Sequence, residues 1–134
     1  MGSPTDKEHC NKIKKHCEDL GLNVEIRVTS AHKTTENTLE MISYYEGLKL
    51  PIVFIAVAGR SNGLGPVISG NTDFPVVNCP PGSKDDLSRD VWSSLNVPSG
   101  LGCTTRLRLT VKPSPHGGNP DFHFRDESNF VAFS

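Results

Sequence analysis

Along the first hundred residues the hydrophobic positions switch between two rhythms. Over residues 5–20, Cys10, Ile13, Cys17 and Leu20 recur at intervals of three and four, the buried stripe of an amphipathic helix. Thr5 and Glu8 form a capping box at its start, because the hydroxyl can bond an amide in the first turn while the carboxylate reaches back. Gly21 supplies a left-handed stop. Residues 24–28 (Val-Glu-Ile-Arg-Val) alternate as a strand. A second helix is predicted over 35–46, with Leu39, Ile42 and Tyr45 inward and Gly47 closing it. Residues 52–57 are a nearly unbroken apolar run, the pattern of a strand covered by helices on both faces. A short helix over 63–69, a buried strand over 75–79 and a helical segment over 89–95 follow.

Such alternation predicts an α/β fold, a doubly wound parallel sheet between helical layers. One strand is missing from the pattern, since the chain stands at the turn before its first helix without a strand to deliver it there. After residue 105 the character changes. Residues 106–111 alternate like an exposed strand, 113–120 are rich in turn formers, and 121–134 mix aromatics and charges without a period. The expected organisation is one domain over 1–105 and a divergent, loosely ordered tail over 106–134.

Three polar clusters each precede a helix at the C-terminal end of a strand position. They are Gly2-Ser3-Pro4-Thr5-Asp6, Ser30-Ala31-His32-Lys33 and Gly59-Arg60-Ser61-Asn62. In a parallel sheet these loops converge on one edge, where open α/β sheets bind ligands. The first opens a helix, whose free amides and dipole suit a phosphate. Its plainer reading is an ordinary helix cap. In the second, histidine is the side chain best suited to take and give a proton near neutrality, and Lys33 adds positive charge. The plainer reading there is an exposed loop. In the third, Arg60 is placed to meet an anion, with Ser61, Asn62 and Gly63 beside it, or else the segment is a simple turn.

Composition narrows the choices. With 14 Lys and Arg against 15 Asp and Glu the net charge is -1, and no basic stripe appears, so neither nucleic acid nor a membrane surface is an expected partner. The 4 cysteines include no C-x-x-C pair, and Cys10 and Cys17 share a helix face, which favours buried apolar roles over zinc or disulfides. Without a secretory leader or a long apolar span, the expected compartment is the cytoplasm. The dinucleotide and P-loop glycine fingerprints are absent, as are a metal-ligand cluster and a nucleophile elbow. His9, His16, His116 and His123 are scattered and receive no role.

At these same loops the chain resembles the aminoimidazole ribonucleotide (AIR) carboxylases. The matching motifs are Met1-Gly2-Ser3-Pro4-Thr5-Asp6, Thr29-Ser30-Ala31-His32-Lys33, and Ala56-Val57-Ala58-Gly59-Arg60-Ser61-Asn62-Gly63-Leu64-Gly65-Pro66. Ser69-Gly70-Asn71-Thr72, Asp90-Val91-Trp92-Ser93-Ser94-Leu95 and Pro98-Ser99-Gly100-Leu101-Gly102-Cys103 continue the series in order. Lys33 after His32, and the Arg60-Ser61-Asn62 loop, resemble class II, which in animals is fused to a succinocarboxamide synthetase domain. The resemblance implies a three-layer, flavodoxin-like fold and a carboxy-lyase that joins carbon dioxide to C4 of AIR in purine synthesis. It implies no cofactor: neither biotin, ATP nor metal. Ser3, Thr5 and Asp6, helped by Ser30, would hold the ribose phosphate. His32 would carry the C4 proton, while Lys33, Ser61 and Asn62 place the carboxyl group. The family assembles as homo-octamers.

Against that family, the first strand is expected to be cut away ahead of Met1, and residues 106–134 do not resemble the usual continuation into subunit-packing helices. A truncated or aberrantly spliced product is the expectation that follows, with residues 107–111 as a candidate filler for a strand position. Two other readings fit the same residues. One is an inactive relic that only binds ligand or subunits, and the other a generic flavodoxin-like binder of a phosphate ligand.

Overall fold

The computed structural model of this chain describes residues 6–81, 87–105 and 129–133. In chain order they form α1 (Lys7–Glu18), β1 (Asn23–Arg27), α2 (Thr35–Gly47), β2 (Ile52–Ala56), α3 (Leu64–Ser69), β3 (Val76–Asn78), α4 (Leu87–Leu95), β4 (Cys103–Thr105) and β5 (Asn129–Phe133). The strands make one sheet in the order β1-β5-β2-β3-β4, and every pairing is parallel. This is the doubly wound architecture expected from the alternation. In the flavodoxin-like order 2-1-3-4-5 the second place belongs to the strand that leads into the first helix. Here β5 holds that place.

β5 is bonded along both sides. Phe130 is in register with Val24 of β1 and Val53 of β2, and Val131 with Glu25 and Phe54. Where the sequence pattern predicted a loosely ordered tail over 106–134, Asn129–Phe133 therefore form a central strand. The other candidate filler, residues 107–111, lies outside the described residues.

β2 shows why the sheet is three-layered. All five of its residues are buried, and alternate side chains enter different cores. Val53 and Ile55, with Val57 beyond the strand, meet Cys10, Ile13 and Cys17 of α1. Ile52, Phe54 and Ala56 meet Ile42 and Tyr45 of α2 and Leu64 and Ile68 of α3. The cysteines of α1 are buried thiols, as their spacing predicted.

Some positions differ from the pattern. Leu20 lies beyond the end of α1 and is exposed, so the stripe closes at Cys17. Leu39 is also exposed, and Thr38 takes the inward place on α2. Its hydroxyl is satisfied there by Thr29 Oγ1 at 2.7 Å and by the Thr34 carbonyl at 3.1 Å, which removes the usual cost of burying a hydroxyl. Asp6 precedes α1 without a side-chain cap bond, and Glu8 pairs with Lys12 at 2.6 Å rather than turning back. Thr5, the other half of the predicted capping box, lies outside the described residues.

Two buried groups make the fold sensitive to alkali. Burial, with Glu18 adding, pushes the Cys17 thiol from 9.0 up to about 11. Burial and the bond to Glu25, against the pull of Arg27, push the Tyr45 phenol from 10.0 up to about 12. Both groups are neutral when protonated, so below their ordinary values folded and unfolded chains hold the same protons. Above them the unfolded chain releases protons that the folded chain keeps, and stability falls. Urea midpoints are expected to decline from about pH 9 towards pH 12, the window set by these two groups. A Tyr45→Phe chain should decline less steeply above pH 10, the ordinary phenol value. Equal slopes for the two chains would remove Tyr45 from the account.

Candidate active site

Because all the strands run parallel, their C-terminal ends share one edge. The segments after β1 and β2 follow strands on either side of β5, at the point where the winding direction reverses. The loop after β1 is held by hydroxyls. Thr29 is buried and bonded to Thr38, the Ser30 amide donates to Thr34 Oγ1 at 3.0 Å, and the Lys33 amide donates to Ser30 Oγ at 3.3 Å. This fixes the turn that carries His32 and leaves the His32 and Lys33 side chains exposed.

The loop after β2 is held differently. Arg60 adopts a left-handed backbone, φ 59°, uncommon for a residue with a Cβ. Its amide donates to Asp90 Oδ1 at 2.5 Å. Asn62 is buried, with Nδ2 donating to Ser94 Oγ at 3.1 Å and Oδ1 accepting from the Gly65 amide at 3.0 Å. The amide group of Asn62 is thus turned into the protein, while Arg60 and Ser61 are exposed at the edge.

The two loops meet at Gly63. A Cβ on that residue would lie 2.7 Å from both Cε1 and Nε2 of His32. Glycine here is what lets the imidazole settle against the start of α3. Arg60, Ser61 and Asn62 also line a cleft of about 470 Å³, whose other wall is Arg89, Trp92, Ser93 and Asn96 from α4 and just beyond it. His32 and Lys33 are not part of that wall.

Of the first cluster, Asp6 is described, whereas Ser3 and Thr5 lie outside the described residues. Burial raises the Asp6 carboxyl above its ordinary value, attraction to His9 opposes this, and repulsion from Asp90 adds to it. His9 is itself lowered by burial, partly offset by Asp6, and its Nε2 stands 3.6 Å from Cys79 Sγ. The Asp90 charge is thus felt at the start of α1. Among the described residues, no three His, Cys, Asp or Glu side chains are grouped to hold a metal ion.

Asp90 and Ser94 were given no site role from sequence, although both lie in the motif Asp90-Val91-Trp92-Ser93-Ser94-Leu95 that carries the resemblance. Both are buried, on one face of α4 at a spacing of four. A further signal was that pair of polar residues on the inward stripe of an otherwise amphipathic segment.

Residues 1–109 match the family model described as AIR carboxylase. The chain belongs to the AIR carboxylase family. It is 63% identical over 107 residues to the multifunctional protein ADE2 of Gallus gallus. It is 60% identical over 107 residues to the human bifunctional phosphoribosylaminoimidazole carboxylase/phosphoribosylaminoimidazole succinocarboxamide synthetase. Each match covers 80% of this chain and 25% of the relative, so the chain spans about a quarter of the length of these animal proteins. The phosphoribosylaminoimidazole carboxylase of Treponema denticola is 40% identical over 101 residues, covering 75% of this chain and 64% of that one. The crystal structure of Treponema denticola PurE is similar with a TM-score of 0.76 at 38% identity, covering 80% of this chain and 68% of that chain. The AIR carboxylase match includes all three polar clusters of the sequence, whereas β5 lies beyond it in sequence.

Proposed function

We propose that this chain joins carbon dioxide to C4 of 5-aminoimidazole ribonucleotide, forming 4-carboxy-5-aminoimidazole ribonucleotide in purine synthesis. Family membership supplies the reaction class, and the observation that carries the reading to this chain is the His32 ring seated against Gly63 where two loops meet. The electron-rich imidazole carbon attacks carbon dioxide, a carbon–carbon bond forms, and the hydrogen on C4 must then leave as a proton. His32 accepts it. Since the substrate carbon is already nucleophilic, the protein's main tasks are to orient two small reactants and move that proton.

Ser3, Thr5 and Asp6 hold the ribose phosphate with Ser30. Lys33, Arg60 and Ser61 attract the carboxylate as it forms, and Asn62, bonded inward to Ser94 and the Gly65 amide, keeps the loop of Arg60 and Ser61 in shape. A homo-oligomer in the cytoplasm belongs to the same reading, and no helix among the described residues is long and apolar enough to cross a membrane. The relic reading drew its force from an empty central strand position. With β5 bonded to both β1 and β2 the sheet has no such gap.

The test is carbon-dioxide-dependent consumption of AIR by the chain, followed by absorbance. A His32→Asn chain is expected to turn over at least about 100-fold more slowly, the scale of a lost general base, with an unchanged thermal midpoint. Turnover undiminished in that variant would remove His32 from the mechanism.

A further inference from the structure

Asp90 is 2% exposed and Ser94 1% exposed, yet both are polar and both face the loop after β2. Asp90 Oδ1 accepts the Arg60 amide at 2.5 Å, and Ser94 Oγ accepts Asn62 Nδ2 at 3.1 Å. The two sites lie one helical turn apart on α4 and grip positions 60 and 62 of the loop. A Cβ on Gly59 would lie 3.1 Å and 3.2 Å from the two Asp90 oxygens, so glycine there is what lets the carboxylate close in on the backbone. Arg60 needs such a hold. Its left-handed φ of 59° is sparsely populated for a residue with a Cβ, and an alternative backbone would carry its side chain elsewhere. α4 is anchored in turn, since Ser94 O accepts Thr105 Oγ1 of β4 at 2.8 Å.

We propose that Asp90 is a positioning residue: by accepting the Arg60 amide it fixes the left-handed turn that presents Arg60 and Ser61 to the substrate's negative charge. The role of that charge rests on the carboxylase reading, whereas the hold on the loop does not.

Two variants test this on the full chain, Asp90→Ala, which removes the acceptor, and Gly59→Ala, which crowds it while leaving the charge in place. Amide hydrogen exchange is read residue by residue, beside KM and kcat for AIR. In both variants the Arg60 amide is expected to exchange roughly tenfold or more faster, as for an acceptor worth about 1.5 kcal/mol, while amides of β2 and β3 keep their protection. KM should rise more than kcat falls, and Asp90→Asn, which keeps an oxygen acceptor, should restore much of both. If Asp90→Ala does not fold, Gly59→Ala decides. Unchanged exchange at Arg60, or acceleration only in step with β2 and β3, would overturn the proposal. If the parent chain itself fails to consume AIR, the carboxylase reading falls and the exchange pattern still decides whether Asp90 holds the loop.

Discussion

A Val131→Pro chain is expected to unfold at a much lower urea concentration than its parent. Val131 sits at the middle of β5, opposite Glu25 on one side and Phe54 on the other. Proline removes one ladder donor, and the carbonyl it leaves unpaired costs roughly 1–3 kcal/mol. The ring must also fit between strands only about 4.8 Å apart, which is why proline is confined to sheet edges. A loss of about 3–5 kcal/mol would be a large share of the stability of a domain whose total is about 5–15 kcal/mol. Urea unfolding followed by circular dichroism reads this directly. A variant with the parent's midpoint and slope would mean that β5 contributes little to the folded sheet in solution.

Gly65→Ala should be the other severe change, for a different reason. Its Cβ would lie 1.8 Å from Asn78 Oδ1 and 2.8 Å from Asn78 Cγ. Neither partner has room, since Gly65 is buried in α3 and Asn78 is fully buried at the end of β3. Asn78 Nδ2 donates to Cys103 Sγ at 3.3 Å, so swinging the side chain away breaks that bond as well. Asn78 Oδ1 has no hydrogen-bond partner among the described residues and faces the glycine instead. Overpacking of this kind costs about 1–3 kcal/mol, and the lost bond adds to it. The thermal midpoint should fall by roughly 10 °C. An added Asn78→Ala removes the atoms in the way, so the double variant should be more stable than Gly65→Ala alone. The reverse order would show that the clash is relieved elsewhere.

Much of this architecture was legible because burial leaves a period in the sequence. Cys10, Ile13 and Cys17 announce the inner face of α1, and the apolar run around Phe54 announces a strand covered on both sides. The loops after β1 and β2 could be placed at one edge from the order of elements alone, and His32 does meet Gly63 there. Thr38 was hidden, because a threonine reads as outward unless its hydroxyl partners, Thr29 and the Thr34 carbonyl, are known in advance. Asp90 was hidden for a related reason. An acid in the first turn of a helix ordinarily answers the dipole and faces water, whereas this one bonds an amide thirty positions earlier. β5 left the weakest trace. Five residues, Asn-Phe-Val-Ala-Phe, are too short and too uniformly apolar to display a period, and both partners lie far back in the chain.

That last separation bears on synthesis. β1 and β2, which flank β5, leave the ribosome long before it does, and neither pairs with the other in the finished sheet. Until Asn129–Phe133 emerge, the nascent chain carries two facing strand edges with nothing between them, and each is a template for a wrong partner. Among the described strands the middle one is made last, so between the synthesis of β2 and that of β5 the chain depends on whatever shields those edges in the cell.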